Sequence, residues 1–105
     1  MKHQSSPTAE FRKLLQGPGI LVLPGIFDCL SARLAQQSGF RAAFTSGYGI
    51  SATYLGLPDF GFLTATETLD TARRIVRSVD IPVVADLDTG YGSVLNVHRA
   101  VSEAV

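Results

Sequence analysis

The sequence predicts an α/β fold built on a parallel β-sheet. Its three short apolar segments, at residues 20–23, 42–47 and 82–85, are largely continuous runs rather than alternating patterns. Continuous runs are typical of strands that are covered on both faces, as in parallel sheets. Each run is followed by a segment with helical signals, which predicts successive βα units with right-handed crossovers. Both a doubly wound sheet and a (β/α)₈ barrel fit this alternation.

Helix-starting and helix-ending residues place the helices around these runs. Asp28 is suited to cap the helix that follows the first strand, and Gly39 to end it in a left-handed conformation. Thr64 and Glu67 have the spacing of a capping box, in which each side chain bonds a free backbone N–H of the other residue. Residues 48–63 form a long connection, rich in glycine and aromatic residues, with room for a short helical turn. The predicted helices cover residues 8–16, 28–39, 64–79 and 94–105.

The chain is predicted to be one incomplete domain. Residues 1–19 form a polar leader and an N-terminal helix, and residues 20–105 form the first three βα units and the start of the following helix. The apolar spacing of that last helix continues to Val105 with no stop signal after it. A closed barrel has eight βα units and about 250 residues. We therefore expect these 105 residues to be the N-terminal part of a longer protein.

Composition and charge narrow the class of protein. With 46% hydrophobic and 17% charged residues, the chain has the composition of a globular domain rather than a disordered or fibrous one. Its formal net charge is zero, so nothing favours nucleic acid or an anionic membrane as a partner. The first residues are polar where a signal peptide would be apolar, which predicts a cytoplasmic location. Cys29, the single cysteine, excludes an internal disulfide and is predicted to lie in the core.

Two aspartates follow the third predicted strand. Side chains two apart on a strand point the same way, so Asp86 and Asp88 share one face at a carboxyl end, where parallel α/β folds bind ligands. Adjacent anions are costly unless a cation or a shared proton compensates, and their hard oxygens favour Mg²⁺ or Mn²⁺. In the alternative interpretation, both side chains only cap the turn before Gly90. Spacing alone supports both interpretations equally.

A second candidate site follows the second predicted strand. In the segment Thr-Ser-Gly-Tyr-Gly, residues 45–49, glycines let backbone N–H groups turn inward, and with the Ser46 hydroxyl they could cradle a carboxylate or phosphate. A glycine-rich strand exit is also the ordinary form of a turn. Asp59, in the long connection, could approach the same site as a further acid or through a water ligand of the metal. Its alternative role is an Asx turn before Gly61.

Four motifs in a fixed order resemble the isocitrate lyase and phosphoenolpyruvate mutase superfamily. They are LPGIFDCLSARLAQQSGF, FTSGYGIS, LGLPDFG and PVVADLDTGYGSVLNV, between residues 23 and 100. The resemblance implies that the chain is the N-terminal portion of a (β/α)₈ TIM barrel that binds Mg²⁺ or Mn²⁺. It also implies bond cleavage or formation beside a carboxylate, through the enolate of a 2-oxo acid. As a full-length protein, such a barrel is expected to be a homo-oligomer, either a dimer or a tetramer.

The resemblance assigns roles position by position. Asp88 matches the more direct metal ligand of the family, and Asp86 matches the aspartate that acts largely through water. Ser46 and Gly47 match the residues that hold the substrate carboxylate or phosphonate, with Tyr48 contributing at least its backbone. The implied partner is therefore a small carboxylic or phosphonic acid.

Further positions carry a catalytic role or depart from the family pattern. Asp59 matches the catalytic acid on the loop that reaches over substrate and metal. Lyases of the family often carry tyrosine two residues before the serine, and here that position is Phe44, which lacks the hydroxyl. The family's later metal-binding glutamate and its Lys-Lys-Cys-Gly-His-type acid/base loop would fall beyond Val105.

The reaction that the resemblance implies is Mg²⁺-dependent C–C bond cleavage of the 2-methylisocitrate lyase kind. A 2-hydroxy acid would give a 2-oxo acid and a second carboxylic acid. A phosphonomutase or an oxaloacetate decarboxylase of the same superfamily is an alternative, as is a truncated, non-catalytic fragment that binds carboxylates. The acid/base loop would separate these alternatives, so residues 1–105 leave the reaction open.

Overall fold

A computed structural model describes residues 6–105, and the first five residues of the predicted leader lie outside the described part. The strands are β1 (Gly25–Ile26), β2 (Ala43–Thr45) and β3 (Val83–Val84). The α-helices are α1 (Pro7–Gln16), α2 (Cys29–Gln37), α3 (Gly47–Ile50), α4 (Ala65–Ser78) and α5 (Val94–Ala104). A π-helical turn, Ser51–Leu55, continues directly from α3. The leading helix and the alternation of strands and helices that follows agree with the predicted order.

The strands form one parallel sheet in the order β1, β2, β3. Gly25 pairs with Phe44, and Phe44 in turn pairs with Val84, so the three positions lie in a row across the sheet. The predicted α/β fold with a parallel sheet is thus confirmed. Parallel strands have their carboxyl ends at one edge, and the residues that follow β1, β2 and β3 meet there.

The core lies between one face of the sheet and helices α2 and α4. Ile26 and Ala43 from the strands pack with Ala32 and Ala35 of α2 and with Ile75 of α4. The small alanine side chains occupy little space between α2 and the sheet, so α2 can approach the sheet closely. Ile75 is completely buried, so its truncation to alanine would cost about 2–5 kcal/mol of stability.

Side-chain caps define the starts of the two core helices, as predicted. The Ser31 N–H donates to Asp28 Oδ1 (2.7 Å), and the Asp28 N–H donates to Ser31 Oγ (3.2 Å), which closes a capping box on α2. On α4, the Thr64 N–H donates to Glu67 Oε1 (2.9 Å) and the Glu67 N–H donates to Thr64 Oγ1 (3.2 Å). Gly39 follows α2 with φ +95°, the left-handed conformation expected of it.

The first strand lies later in the chain than its apolar run predicted. Residues 20–23 are not part of the sheet, and Ile20 is 87% exposed. Hydrogen bonding to β2 begins at Pro24, whose carbonyl accepts the Phe44 N–H at 3.0 Å. Because β2 is only three residues long, no strand lies beside residues 20–23 to pair with them. The prediction of a strand at this run was therefore wrong.

The connection after β2 is more helical than its glycines predicted. Residues 47–55 form α3 and the π-helical turn without a break, and the turn ends at Gly56, where φ is +68°. A positive φ of this size favours glycine, which explains why the helical segment ends there. None of the helices within residues 6–105 is long and apolar enough to cross a bilayer.

The strands are covered on only one face in the described part of the chain. Phe44 and Val84, on the face away from the helices, are 36% and 39% exposed, so the prediction of strands buried on both faces is not met. Cys29, predicted to lie in the core, is also exposed. It sits in the first turn of α2, where its Sγ donates to the Arg74 carbonyl at 3.4 Å.

Candidate metal and carboxylate site

The carboxyl ends of β1 and β2 bring the first part of the site together. The Ser46 N–H donates to the Ile26 carbonyl at 2.8 Å, directly after the two strands. Gly25, Phe44 and Ser46 lie on the open face, because a Cβ on Gly25 would be 3.1 Å from Phe44 Cζ and 3.4 Å from Ser46 Cβ. Any side chain at position 25 would therefore crowd the start of the candidate substrate segment.

Asp86 is held in place by the neighbouring strand. Its backbone N–H donates to Thr45 Oγ1 at 2.8 Å, and Thr45 is completely buried. One of its own carboxylate oxygens, Oδ1, accepts the Asp88 N–H at 2.9 Å. Asp88 occupies the first corner of a tight turn, in which the Gly90 N–H donates to the Leu87 carbonyl at 2.9 Å. Asp86 thus caps the turn, as the turn interpretation requires, and its other oxygen, Oδ2, remains available for a ligand.

The two aspartates lie against Gly47, the first residue of α3. A Cβ built on Gly47 would lie 3.1 Å from Asp86 Oδ2 and 3.9 Å from Asp88 Oδ1. The carboxylate pair and the predicted substrate segment are therefore neighbours, as their positions at adjacent strand ends suggested. The missing side chain at position 47 is what lets the backbone and the carboxylates come this close.

Negative charge accumulates at this edge of the sheet, because Asp59 and Asp86 both lie near Asp88. Partial burial, followed by the charges of Asp86 and Asp59, raises the pKa of Asp88 above its usual value. The salt bridges within residues 6–105 join Asp70 to Arg73 and Arg74, and Glu103 to Arg99, so none reaches Asp86 or Asp88. A cation bound here would relieve this repulsion.

The donor set fits a magnesium-type ion better than zinc. Within residues 6–105, no group of three or more His, Cys, Asp or Glu side chains is arranged to hold a metal ion. Zinc sites need three or four protein ligands, whereas Mg²⁺ is commonly bound by one or two carboxylates, with waters and substrate oxygens completing the shell. The oxygens of Asp86 and Asp88 therefore fit part of a Mg²⁺ or Mn²⁺ shell.

Ser46 caps a helix and can still donate a hydrogen bond to a ligand. Ser46 Oγ accepts the Gly49 N–H at 3.1 Å and thereby caps α3, which leaves its hydroxyl proton free to donate. Gly47 and Tyr48 form the first turn of α3, where backbone N–H groups lack partners within the helix. The Tyr48 side chain is 69% exposed.

Asp59 approaches the pair from the loop that follows the π-helical turn. The Ser51 hydroxyl, which is buried, lies 2.9 Å from the Leu57 carbonyl and 3.0 Å from the Pro58 carbonyl, and so anchors this loop. The exposed Asp59 side chain has no hydrogen bond or ion pair within the described residues, so the Asx turn before Gly61 is not formed. Asp59 is near enough to Asp88 for its charge to raise the pKa of that carboxyl.

Within residues 6–105, two buried polar side chains support the site through contacts that sequence analysis did not predict. Thr45 holds the Asp86 backbone, and Ser51 anchors the loop of Asp59. Thr68, on α4, is also buried, and its Oγ1 has no hydrogen-bond partner in this part of the chain. Thr45 had a detectable signal, because it lies two residues after Ala43 on the covered face of the strand. Thr68 lies four and seven residues before two core positions of α4, and a polar residue at that spacing marks a buried hydroxyl that needs a partner.

Comparison with known proteins identifies the family. The sequence profile of the phosphoenolpyruvate phosphomutase family matches residues 11–105. The chain therefore belongs to this family, whose relatives include lyases of the isocitrate lyase superfamily, as the sequence resemblance predicted.

The relatives carry out different reactions. The chain is 47% identical to a chloroplastic carboxyvinyl-carboxyphosphonate phosphorylmutase of Arabidopsis thaliana, over 95% of this chain and 31% of that protein. It is 42% identical to a 2-methylisocitrate lyase of Halalkalibacterium halodurans, over 97% of this chain and 34% of that protein. A solved structure of phosphonopyruvate hydrolase with oxalate and Mg²⁺ superimposes with a TM-score of 0.88 and 33% identity, over 95% of this chain and 35% of the hydrolase. The chain thus spans about a third of the length of the relatives that it matches.

Proposed function

We propose that this chain is the N-terminal part of a (β/α)₈ barrel enzyme that cleaves a C–C bond in a small 2-hydroxy acid. The observation that most directly supports this proposal is the position of Asp86 and Asp88 against Gly47. This is the edge of the sheet at which parallel α/β folds bind ligands. The 2-methylisocitrate lyase relative supports this reaction class. The whole of residues 1–105 would be one incomplete domain, with the remaining βα units supplied by further sequence.

The metal ligands in this proposal are Asp88, directly, and Asp86, largely through water. When bound, Mg²⁺ or Mn²⁺ would act as a Lewis acid that stabilises negative charge on the 2-hydroxyl oxygen of the substrate, which becomes the carbonyl oxygen of the 2-oxo product. The donor set described above and the hydrolase relative solved with Mg²⁺ and oxalate support this choice of cofactor. The third carboxylate nearby, Asp59, would then face the substrate from the loop anchored by Ser51.

The substrate carboxylate would be held at the start of α3. The Ser46 hydroxyl proton and the backbone N–H groups of Gly47 and Tyr48 are the donors that remain free for an anion there. Donors fixed by the fold before substrate arrives orient the reacting bond and lose little entropy on binding. Asp59, which is exposed and has no hydrogen bond or ion pair within residues 6–105, would act as the catalytic acid that moves a proton beside the reacting carbon.

A phosphonomutase is the second candidate. Phe44 lies on the open face beside Ser46, at the position where lyases of the superfamily often have a tyrosine hydroxyl. The mutase from Arabidopsis is also somewhat more similar to this chain than the lyase from Halalkalibacterium, at 47% against 42% identity. An oxaloacetate decarboxylase of the same family is the third candidate.

The reaction class can be tested with the full-length protein after chelation and reloading with Mg²⁺. We expect a 2-methylisocitrate-type acid to yield pyruvate, which a coupled lactate dehydrogenase assay detects. Phosphonopyruvate and oxaloacetate should not be turned over at a comparable rate. Conversion of phosphonopyruvate to phosphoenolpyruvate, without turnover of the 2-hydroxy acids, would establish the mutase instead. Turnover that persists without metal would contradict the metal-dependent proposal.

The cellular location and the oligomeric state of the enzyme are further parts of the proposal. A cytoplasmic location is part of this proposal, although the Arabidopsis relative is chloroplastic. Leu30 and Leu34, on consecutive turns of the outer face of α2, are 68% and 53% exposed. Exposed apolar side chains of this kind support assembly of the full-length protein into a dimer or tetramer. Neither nucleic acid nor a membrane is expected as a partner.

A further inference from the structure

We propose that Thr45 is a positioning residue for the pair of metal-binding carboxylates, acting through the hydrogen bond that its hydroxyl accepts from the Asp86 backbone. This role rests on the proposed metal site. It extends that site to a buried side chain at the end of β2, and it predicts that metal affinity depends on the Thr45 hydroxyl.

The Thr45 hydroxyl lies where the backbone pairing of β2 and β3 ends. The last residue pair of the two strands is Phe44 with Val84, at which β3 ends. Two residues later, the Asp86 N–H donates to Thr45 Oγ1 at 2.8 Å rather than to a backbone carbonyl. Parallel strands are normally joined by evenly spaced backbone hydrogen bonds. A side-chain hydroxyl therefore takes the place of a carbonyl at the point where the chain leaves the sheet and enters the site.

The position of this hydroxyl is fixed by the sheet. Thr45 is completely buried, on the covered face two residues after Ala43, and its backbone pairs with Ile26 of β1. The N–H of the next residue, Ser46, donates to the Ile26 carbonyl at 2.8 Å. A buried side chain on a paired strand has little freedom to move. The Asp86 backbone is thus tied to the same end of β2 that presents Ser46.

A second hydrogen bond extends this constraint to Asp88. Asp86 Oδ1 accepts the Asp88 N–H at 2.9 Å, and Asp86 Oδ2 lies 3.1 Å from the position of a Cβ on Gly47. Thr45 therefore holds the backbone of Asp86, while Asp88 holds one of its carboxylate oxygens. A shift of the Asp86 backbone would move both carboxylates relative to Gly47. The Thr45 hydroxyl consequently sets the spacing between the carboxylate pair and the candidate substrate segment.

Thr45→Val and Thr45→Ser separate the hydroxyl from the packing of this side chain in the full-length protein. Valine has the shape of threonine without the acceptor, so the Asp86 N–H must find another partner, and Mn²⁺ affinity should fall about tenfold. Serine keeps the hydroxyl and loses a methyl group, so Thr45→Ser should melt at a lower temperature but bind Mn²⁺ like the wild type. Electron paramagnetic resonance of free Mn²⁺ measures the affinities. Hydrogen exchange of the Asp86 amide, measured without metal, should accelerate in Thr45→Val only.

Ile75→Val is the control for a general loss of stability. It removes one methyl group from the core that Ile75 shares with Ile26 and Ala43, and it leaves the hydrogen bond of Asp86 in place. We expect a lower melting temperature with unchanged Mn²⁺ affinity.

Two results would overturn the role of Thr45. Unchanged Mn²⁺ affinity of Thr45→Val would make the hydroxyl purely structural, and an equal loss of affinity in Thr45→Ser would assign the effect to packing. If Thr45→Val does not fold, fast exchange of the Asp86 amide in the wild type would overturn the role. Slow exchange together with normal Mn²⁺ affinity of Thr45→Ser would then support it. A wild-type protein that binds no Mn²⁺ would instead contradict the proposed function itself.

Discussion

The backbone N–H of Asp88 donates to Asp86 Oδ1 at 2.9 Å, while Asp86 Oδ2 faces Gly47. Asp86 thus holds the turn with one carboxylate oxygen, and its other oxygen is free to bind a ligand. Asp86→Asn keeps an oxygen that can accept the bond from Asp88 but removes the charge. We expect its metal-free stability to stay within about 0.5 kcal/mol of the wild type, with most of the Mg²⁺-dependent stabilisation lost.

Asp86→Ala is the matched control for this prediction. It also removes the acceptor of the Asp88 N–H, so it should cost about 1 kcal/mol more than Asp86→Asn in denaturant unfolding without metal. Equal metal-dependent stabilisation of Asp86→Asn and the wild type would restrict Asp86 to its role in the turn.

Gly47→Ala should separate binding from stability. Alanine is a better helix former than glycine, so α3 should be as stable as before or slightly more stable. The new Cβ would lie 3.1 Å from Asp86 Oδ2, so the carboxylate must shift, and we expect Mn²⁺ affinity to fall about tenfold. Titration of Mn²⁺ and thermal unfolding of the same sample measure both effects.

Gly49→Ala is the control, because its Cβ would meet the Phe27 side chain at 2.9 Å instead of a carboxylate. Overpacking of this kind costs about 1–3 kcal/mol of stability. A Gly47→Ala variant that behaves like Gly49→Ala, destabilised but with normal affinity, would argue against a ligand-binding role for the gap at position 47.

Ser51→Ala should loosen the loop that carries Asp59. The Ser51 hydroxyl is buried and lies within hydrogen-bond distance of the Leu57 and Pro58 carbonyls, so its loss should cost about 1–3 kcal/mol. Hydrogen exchange of residues 56–60 should accelerate. Thr53→Ala, which removes an exposed hydroxyl bonded to the Gly49 carbonyl at 2.7 Å, should leave that exchange unchanged. Equal exchange in both variants would show that Ser51 does not anchor the loop.

The raised pKa of Asp88 predicts a pH dependence of stability in the metal-free protein. The folded state holds the Asp88 proton more tightly than the unfolded chain, so stability should fall as the pH rises from about 4 through the raised pKa. Asp88→Asn should reduce this slope and, without metal, raise the melting temperature at neutral pH. Asn also tolerates the positive φ at this position.

Asp80→Asn provides a charge-matched control, since Asp80 is exposed and lies before β3, at the opposite end of that strand. It should leave the dependence on pH nearly unchanged. Saturating Mg²⁺ should reverse the slope in the wild type, because a cation favours the ionised carboxylate. An unchanged slope in Asp88→Asn would mean that other groups dominate this pH range.

Local chemistry in the sequence predicted the helices well and the first strand poorly. The caps at Asp28 and Thr64 each form between two residues that are three positions apart in the sequence. They can therefore be identified without knowledge of the fold. Pairing of β1 depends on β2, about 18 residues later, and the run at 20–23 looked like a strand only because its side chains are apolar. Hydrophobic pattern indicates burial, whereas register is decided by the partner strand.

In the candidate site, too, sequence predicted some features and could not predict those that depend on contacts between distant residues. The order of motifs brought Ser46, Gly47 and Asp86 to one edge, because parallel strands end together. Sequence could not predict that Thr45 would accept the Asp86 N–H, since this contact crosses 41 residues of chain. Exposure of Cys29 was missed for the related reason that its neighbours in sequence are not its neighbours in the fold.

Thermal unfolding of the full-length protein with Mg²⁺ and oxalate, a mimic of the pyruvate enolate, tests the carboxylate pair most directly. At a hundredfold excess over the dissociation constant, bound ligand should stabilise the wild type by about 2.7 kcal/mol. Asp88→Ala should lose nearly all of this stabilisation, while the Asp80→Asn control should keep it. Full stabilisation of Asp88→Ala by Mg²⁺ and oxalate would contradict the assignment of Asp88 as the metal ligand.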